Sequence, residues 1–301
     1  MLEKAQGLAV DEAFIDLEDA VAPDAKDDAR RNAVAAARDG EWTGKTLGVR
    51  VNDWSTPWTH RDVIDVVNGA GDRIDTIVLP KTESVHHVAA TDLLLTQLET
   101  SLGLPVGRIG LEVQIESARG VLALDAIAAA SSRTEALVFG PADFMASTNM
   151  RSLTVGEQPD GYDVGDAYHH VLMSILIAAR AHDLQAIDGP YLQVRDVEGF
   201  RRSARRTAAL GYDGKWVLHP DQVAVGNEVF APSQSEFDHA EEILAAYARS
   251  TSSEGGARGA VMLGDEMIDE ASRKMALVIS AKGRAAGMRP SPHESRRTES
   301  S

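Results

Sequence analysis

Strand-like and helix-like runs alternate almost from one end of this chain to the other, and nearly every strand run ends on a polar or charged residue. The strand runs are EAFIDLED (12–19), TLGVRVN (46–52), DTIVLPK (75–81), RIGLEVQIES (108–117), EALVFGPADF (135–144), LQAIDGPY (184–191) and GKWVLHP (214–220). Helical stretches at 24–39, 83–102, 119–130, 165–183 and 195–211 separate them. Parallel neighbours can be joined only through a crossover, so this alternation calls for a parallel sheet. The runs are apolar on both faces, as buried parallel strands must be.

The strand ends present Asp16 and Glu18, Arg50 and Asn52, Lys81, Glu116, Asp143, Asp188 and His219. Polar groups converging on one end of all strands are the layout of a (β/α)8 TIM barrel. An open doubly wound sheet would gather its site at one switch point behind a glycine-rich turn. Neither GxGxxG nor GxxxxGK[ST] occurs, which removes the main support for a nucleotide-binding fold. Seven strand runs are found where a barrel needs eight, and a helix at 1–9 precedes the first. The first barrel strand is therefore expected to be missing, through a start placed downstream or an irregular closure.

The pattern changes near residue 230. The barrel domain is expected over 1–230 and a C-terminal helical lid segment over 231–288. That segment reads as a helix at 233–250, a flexible TSSEGGARG turn, and a second helical element at 264–287. Residues 289–301 have the composition of a disordered tail.

There is no cysteine, which excludes disulfides, thiolate metal sites and a cysteine nucleophile. The formal charge of −16 repels phosphate backbones, so no nucleic-acid partner is expected. No run reaches the ~20 apolar residues of a membrane span, and the polar start is unlike a signal peptide. A cytoplasmic protein with no membrane partner is the expectation.

Strand-end carboxylates on adjacent strands, about 4.8 Å apart, can share one cation, and Glu116 with Asp143 form such a pair. With no cysteine and no histidine pair at ligand spacing, the donors are oxygen only, which favours Mg²⁺ or Mn²⁺. Alternatively each acid pairs with a base or caps the next helix. Asp16, Glu18 and Asp19 close the first strand: Asp19 reads as a cap for the helix near Asp24, and Glu18 as an acceptor beside a metal-bound water. Arg50 is a cation on an apolar strand and needs a partner, either a substrate oxygen or Glu18 and Glu116. Lys81 follows the same logic. The basic clusters at 30–31 and 201–206 are candidates for meeting phosphate, and the second also reads as a solvated helix face.

The motifs FIDLEDAVAPDAKDDAR, VRVN, LPKTES, EVQIESARG, FGPADF and HPDQV, in this order and spacing, resemble the HpcH/HpaI aldolase–citrate lyase β-subunit family over residues 1–285. Within it, VNDWSTPW, GPADFMAS and GDEMIDEASRKMA look most like the malyl-CoA and β-methylmalyl-CoA lyases. The resemblance implies a barrel binding Mg²⁺ through Glu116 and Asp143, with Arg50 on the substrate. It also implies a homotrimer or homohexamer whose C-terminal segment covers a neighbour's site and supplies Asp269, the aspartate of MID, as acid–base. The implied activity is cleavage or formation of 3-hydroxyacyl-CoA esters, such as malyl-CoA to glyoxylate plus acetyl-CoA. Neighbouring possibilities are citramalyl-CoA or citryl-CoA lyase, a citrate lyase β subunit working with an acyl-carrier partner, or a malyl-CoA thioesterase. Relatives place a strand resembling RSxLxVPG before MLEKA, the strand absent here.

Overall fold

A computed structural model describes residues 2–253 and 259–291. The chain forms two compact units, Met1–Asn227 and Glu228–Ser301. In the first, seven strands make one all-parallel sheet: β1 Glu12–Asp16, β2 Thr46–Arg50, β3 Thr76–Leu79, β4 Gly110–Ile115, β5 Thr134–Phe139, β6 Gln185–Asp188 and β7 Gly214–Lys215. Their spatial order is their chain order, with no reversal to make a switch point. The sheet curls: Phe14 on β1 and Trp216, just past β7, bring their rings to 4.4 Å between centroids. Among the described residues β1 and β7 share no backbone ladder, so side chains join these two ends.

The helices are α1 Leu2–Gln6, α2 Lys26–Asp39, α3 Thr59–Ala70, α4 Val85–Leu102, α5 Ala118–Leu122, α6 Leu124–Ala128, α7 Pro141–Ser147, α8 His169–Ala181, α9 Val197–Leu210 and α10 Pro220–Phe230. Local chemistry sets several ends. Ser84 caps α4 by accepting from the His86 amide, and Gly103 ends it in the left-handed conformation that glycine adopts without strain. Asp196 and Gly211 do the same for α9. No helix among the described residues is long and apolar enough to cross a membrane.

Glu12, Phe14 and Asp16 on β1, Gly48 and Arg50 on β2, and Glu112 and Gln114 on β4 line the inside of the curl. At the N-terminal end of the strands, Glu12 hydrogen-bonds Glu112, which also accepts from Thr76 Oγ1 at 3.0 Å. Two carboxyl groups in contact need one proton between them. Burial, followed by this contact, pushes the Glu12 carboxyl up to about 10. Glycine at 48 makes the room, since a Cβ there would stand 3.0 Å from Glu12 Oε1. A second buried network ties α4 to β5: Arg133 reaches Glu99 at 2.6 and 2.9 Å and Asp92 at 2.6 Å.

In the second unit, α11 Gln234–Thr251 begins with a capping box between Ser233 and Glu236. It packs with α12 Glu270–Ala285 around Ala240, Ile243, Ala246, Ile268 and Ala276. Gly283 lets α12 approach Phe237, because a Cβ there would fall 2.2 Å from that ring.

Three expectations need correction. The helix expected from residue 264 is instead an antiparallel hairpin, β8 Val261–Leu263 and β9 Glu266–Ile268, before α12 begins. The Ile268 side chain is fully buried in the core of this unit, and that alternation is too short to read in sequence. The helix expected over 119–130 breaks at Ala123 into α5 and α6. The strand expected over 214–220 pairs only at Gly214 and Lys215. Residues 254–258 of the expected hinge and 292–301 of the expected tail lie outside the described residues.

Candidate active site

Parallel register places the strand-end residues together. Asp16 is the cross-strand partner of Arg50, and Arg50 clamps it through Nε to Oδ1 at 2.8 Å and Nη2 to Oδ2 at 2.7 Å. This is the two-pronged geometry a guanidinium offers a carboxylate. Arg50 Nη1 also lies 3.1 Å from Glu18 Oε2, and the guanidinium sits over the rings of Phe14 and Trp216 at 5.9 and 5.6 Å. Burial alone would raise the Asp16 carboxyl, but the Arg50 hydrogen bond and charge outweigh it and hold it below the usual range. Arg50 thus bridges Asp16 and Glu18, where the sequence offered either a substrate oxygen or Glu18 and Glu116.

Lys81 follows β3 with φ at +47°, the left-handed region that a non-glycine residue adopts at a cost. Its amide donates to Glu116 Oε1 at 2.6 Å, while its ammonium pairs with Glu18 and, at 3.3 Å, with Asp19. Burial lowers the Lys81 ammonium, but its partners, Glu18 first, hold it above the ordinary lysine value, so it stays charged. Asp19 therefore meets Lys81 rather than capping a helix: the residue before α2 is Ala25, with no side-chain cap. Glu18 holds two cations, Arg50 and Lys81. Lys26 fixes this loop from below, its ammonium donating to the carbonyls of Leu17 and Glu18 at 2.8 Å.

Glu116, at the end of β4, is almost fully buried, and burial raises its carboxyl to about 8. The Lys81 amide opposes that shift, whereas the charges of Asp143 and Glu18 add to it. Asp143 lies in the first turn of α7, its carboxyl also raised by burial against the pull of Lys81. Glu116 packs directly on Gly140, where a Cβ would stand 2.1 Å from Oε2, so the glycine of FGPADF is what lets the two elements meet. Glu116 and Asp143 are the oxygen donors that could hold a divalent cation here.

Asp269 belongs to the other unit. It is the N-cap of α12, its Oδ1 accepting from the amides of Ala271 at 2.9 Å and Ser272 at 3.1 Å. Of the other candidates, His219 is half-exposed beside Asp221 at 3.4 Å. Arg30 is buried against Asp62 at 3.0 Å, which takes it out of contention for a phosphate. Asp188 is buried with Lys215 at 2.6 Å. Gln114, Gly140, Phe14 and Trp216 went unread in the sequence. For Gln114 the available signal was a polar residue two positions before Glu116 on a fully buried strand.

Residues 1–220 match the HpcH/HpaI aldolase/citrate lyase family. The chain belongs to this family. The L-malyl-CoA/β-methylmalyl-CoA lyase of Rhodobacter capsulatus is 41% identical over 287 residues, covering 93% of this chain and 89% of the relative. Protein CitE from Mycobacterium tuberculosis, solved in complex with magnesium, acetoacetate and coenzyme A, superposes with a TM-score of 0.69. It is 29% identical, over 92% of this chain and 91% of that one. A citrate lyase structure from Burkholderia xenovorans, at 22% identity, shares the fold with a TM-score of 0.82 over 96% of this chain and 88% of that one. The curled sheet with its strand-end acids is thus the HpcH/HpaI barrel scaffold.

Proposed function

We propose that this protein is a cytoplasmic, Mg²⁺-dependent carbon–carbon lyase acting on 3-hydroxyacyl-CoA esters, with L-malyl-CoA and β-methylmalyl-CoA as leading substrates and glyoxylate plus acetyl-CoA or propionyl-CoA as products. The observation that carries this reading is the meeting of two raised carboxyls, Glu116 and Asp143, with Arg50 held rigid by Asp16, Glu18 and two aromatic rings. The 41% identity to the Rhodobacter capsulatus lyase supports the substrate class.

The residues fit the metal. Among the described residues no three acids or imidazoles gather at ligand spacing; Glu116 and Asp143 are the two carboxylates that would hold the ion. Mg²⁺ is commonly held by one or two carboxylates with water and substrate oxygens. Burial raises the Glu116 carboxyl first and the charges of Asp143 and Glu18 add to it, and a cation bound there would relieve that repulsion. Held there, Mg²⁺ supplies Lewis-acid polarisation of the substrate's oxygens.

Arg50 carries the fixed positive charge that meets the oxyanion developing as the bond between C2 and C3 breaks. Its guanidinium is already oriented, so no reorganisation is needed at that moment. Asp269 is assigned the proton transfer at the enolate carbon on the resemblance of its MID motif, supplied by a neighbouring subunit of a homotrimer or homohexamer. Lys81 stays protonated between Glu18 and Asp19, a poor state for Schiff-base chemistry. Purified protein assayed with Mg²⁺ over a panel of 3-hydroxyacyl-CoA esters, with product identification, tests the reading. Cleavage of malyl-CoA, or its formation from glyoxylate and acetyl-CoA, supports it; no turnover of any free CoA ester would refute it.

A further inference from the structure

We propose that Gln114 is a positioning residue that fixes the carboxylate of Glu116 for metal binding, an inference that rests on Glu116 being a ligand. Gln114 lies on β4, two residues before Glu116, on the same inner face of the sheet. It is 3% exposed, and its Nε2 donates to Glu116 Oε2 at 2.7 Å. The opposite oxygen, Oε1, accepts from the Lys81 amide at 2.6 Å. One donor on each oxygen sets the rotation of the carboxylate plane, which no single contact could do.

Both donors stand in unfavourable local states. Gln114 Oε1 is buried with no hydrogen-bond partner, a burden that leucine or methionine at this place would not carry. Lys81 donates from a left-handed backbone. A residue kept only for packing would have no reason to leave a buried carbonyl unpaired, whereas one kept for its amide donor must bring the carbonyl with it. Gln114 thus holds Glu116 through a neutral donor that leaves the carboxylate's charge for a cation.

The test uses the full chain with Mn²⁺ alone as the probe, free Mn²⁺ being counted by electron paramagnetic resonance, alongside thermal unfolding of the same samples. The variants are Gln114→Leu, Gln114→Met and, as the reference for a lost ligand, Glu116→Gln. Gln114→Leu should unfold at or above the wild-type temperature while binding Mn²⁺ roughly 10–100-fold more weakly, the range for losing a partner that orients a ligand. In turnover, the metal concentration needed should rise while kcat at saturating metal is largely kept. Wild-type Mn²⁺ affinity in Gln114→Leu, with binding lost in Glu116→Gln, overturns the positioning role and leaves the ligand assignment standing. Mn²⁺ binding untouched by Glu116→Gln overturns both. Failure of both Gln114 variants to fold makes the residue structural and also overturns the role.

Discussion

The carboxyl pair at the N-terminal end of the strands makes a pH-dependent prediction that Glu12→Gln isolates. Glutamine keeps the shape of the protonated acid and can still donate to Glu112, but it cannot lose a proton. In the wild type the folded Glu12 carboxyl is raised from 4.5 to about 10. Between those values the folded state holds a proton that the unfolded state has released. Stability therefore falls as pH rises through the window, by about 1.4 kcal/mol per unit for one proton. From about pH 6 to about pH 8.5 this amounts to roughly 3 kcal/mol, and Glu12→Gln abolishes that share. The buried Glu116 carboxyl titrates in both proteins and cancels in the comparison. At about 2–4 °C per kcal/mol for a unit of this size, the variant's melting temperature should gain about 6–12 °C on the wild type across that range. Thermal unfolding by circular dichroism at a series of pH values reads this directly. A constant difference between the two proteins at all pH values would show that folding does not raise the Glu12 carboxyl, and the reasoning would fail.

Three more outcomes follow from particular contacts. Gly140→Ala drives a methyl group against Glu116, whose Oε2 would lie 2.1 Å from the new Cβ. Turnover should fall roughly 10–100-fold, the range for disturbing a ligand's support, in steady-state assays at limiting Mg²⁺. Arg133→Leu leaves Glu99, fully buried, without its cation; urea unfolding should show a loss of about 3–5 kcal/mol, partly restored by adding Glu99→Leu. Asp269→Asn keeps an N-cap side chain while removing the acid, so the melting temperature should hold while turnover drops at least ~10²-fold. Asp269→Ala should lose the cap as well, about 1 kcal/mol; equal activity in Asp269→Asn and wild type would remove Asp269 from the chemistry.

Strand and helix alternation, with a polar residue closing each strand, was enough to predict a parallel (β/α) barrel sheet whose acids meet at one end, because parallel strands fix which end every chain segment finishes on. The family was legible for the same reason: its motifs are those strand ends, and each sits where local backbone chemistry keeps it. Side-chain partners were not legible. Asp19 reads as a helix cap in sequence, yet it lies beside Lys81, because the turn after β3 throws that lysine back across β1. Arg50 could have faced a substrate or Glu116; the β1–β2 register gave it Asp16. The contact of Glu12 with Glu112 joins residues 100 positions apart, and the hairpin before α12 exists because Ile268 is buried against α11 and α12. Sequence determined which groups arrive at each end of the sheet, since alternation and chain direction are local. Only the tertiary structure decided which of them touch, since register, curl and burial depend on residues far apart in the chain.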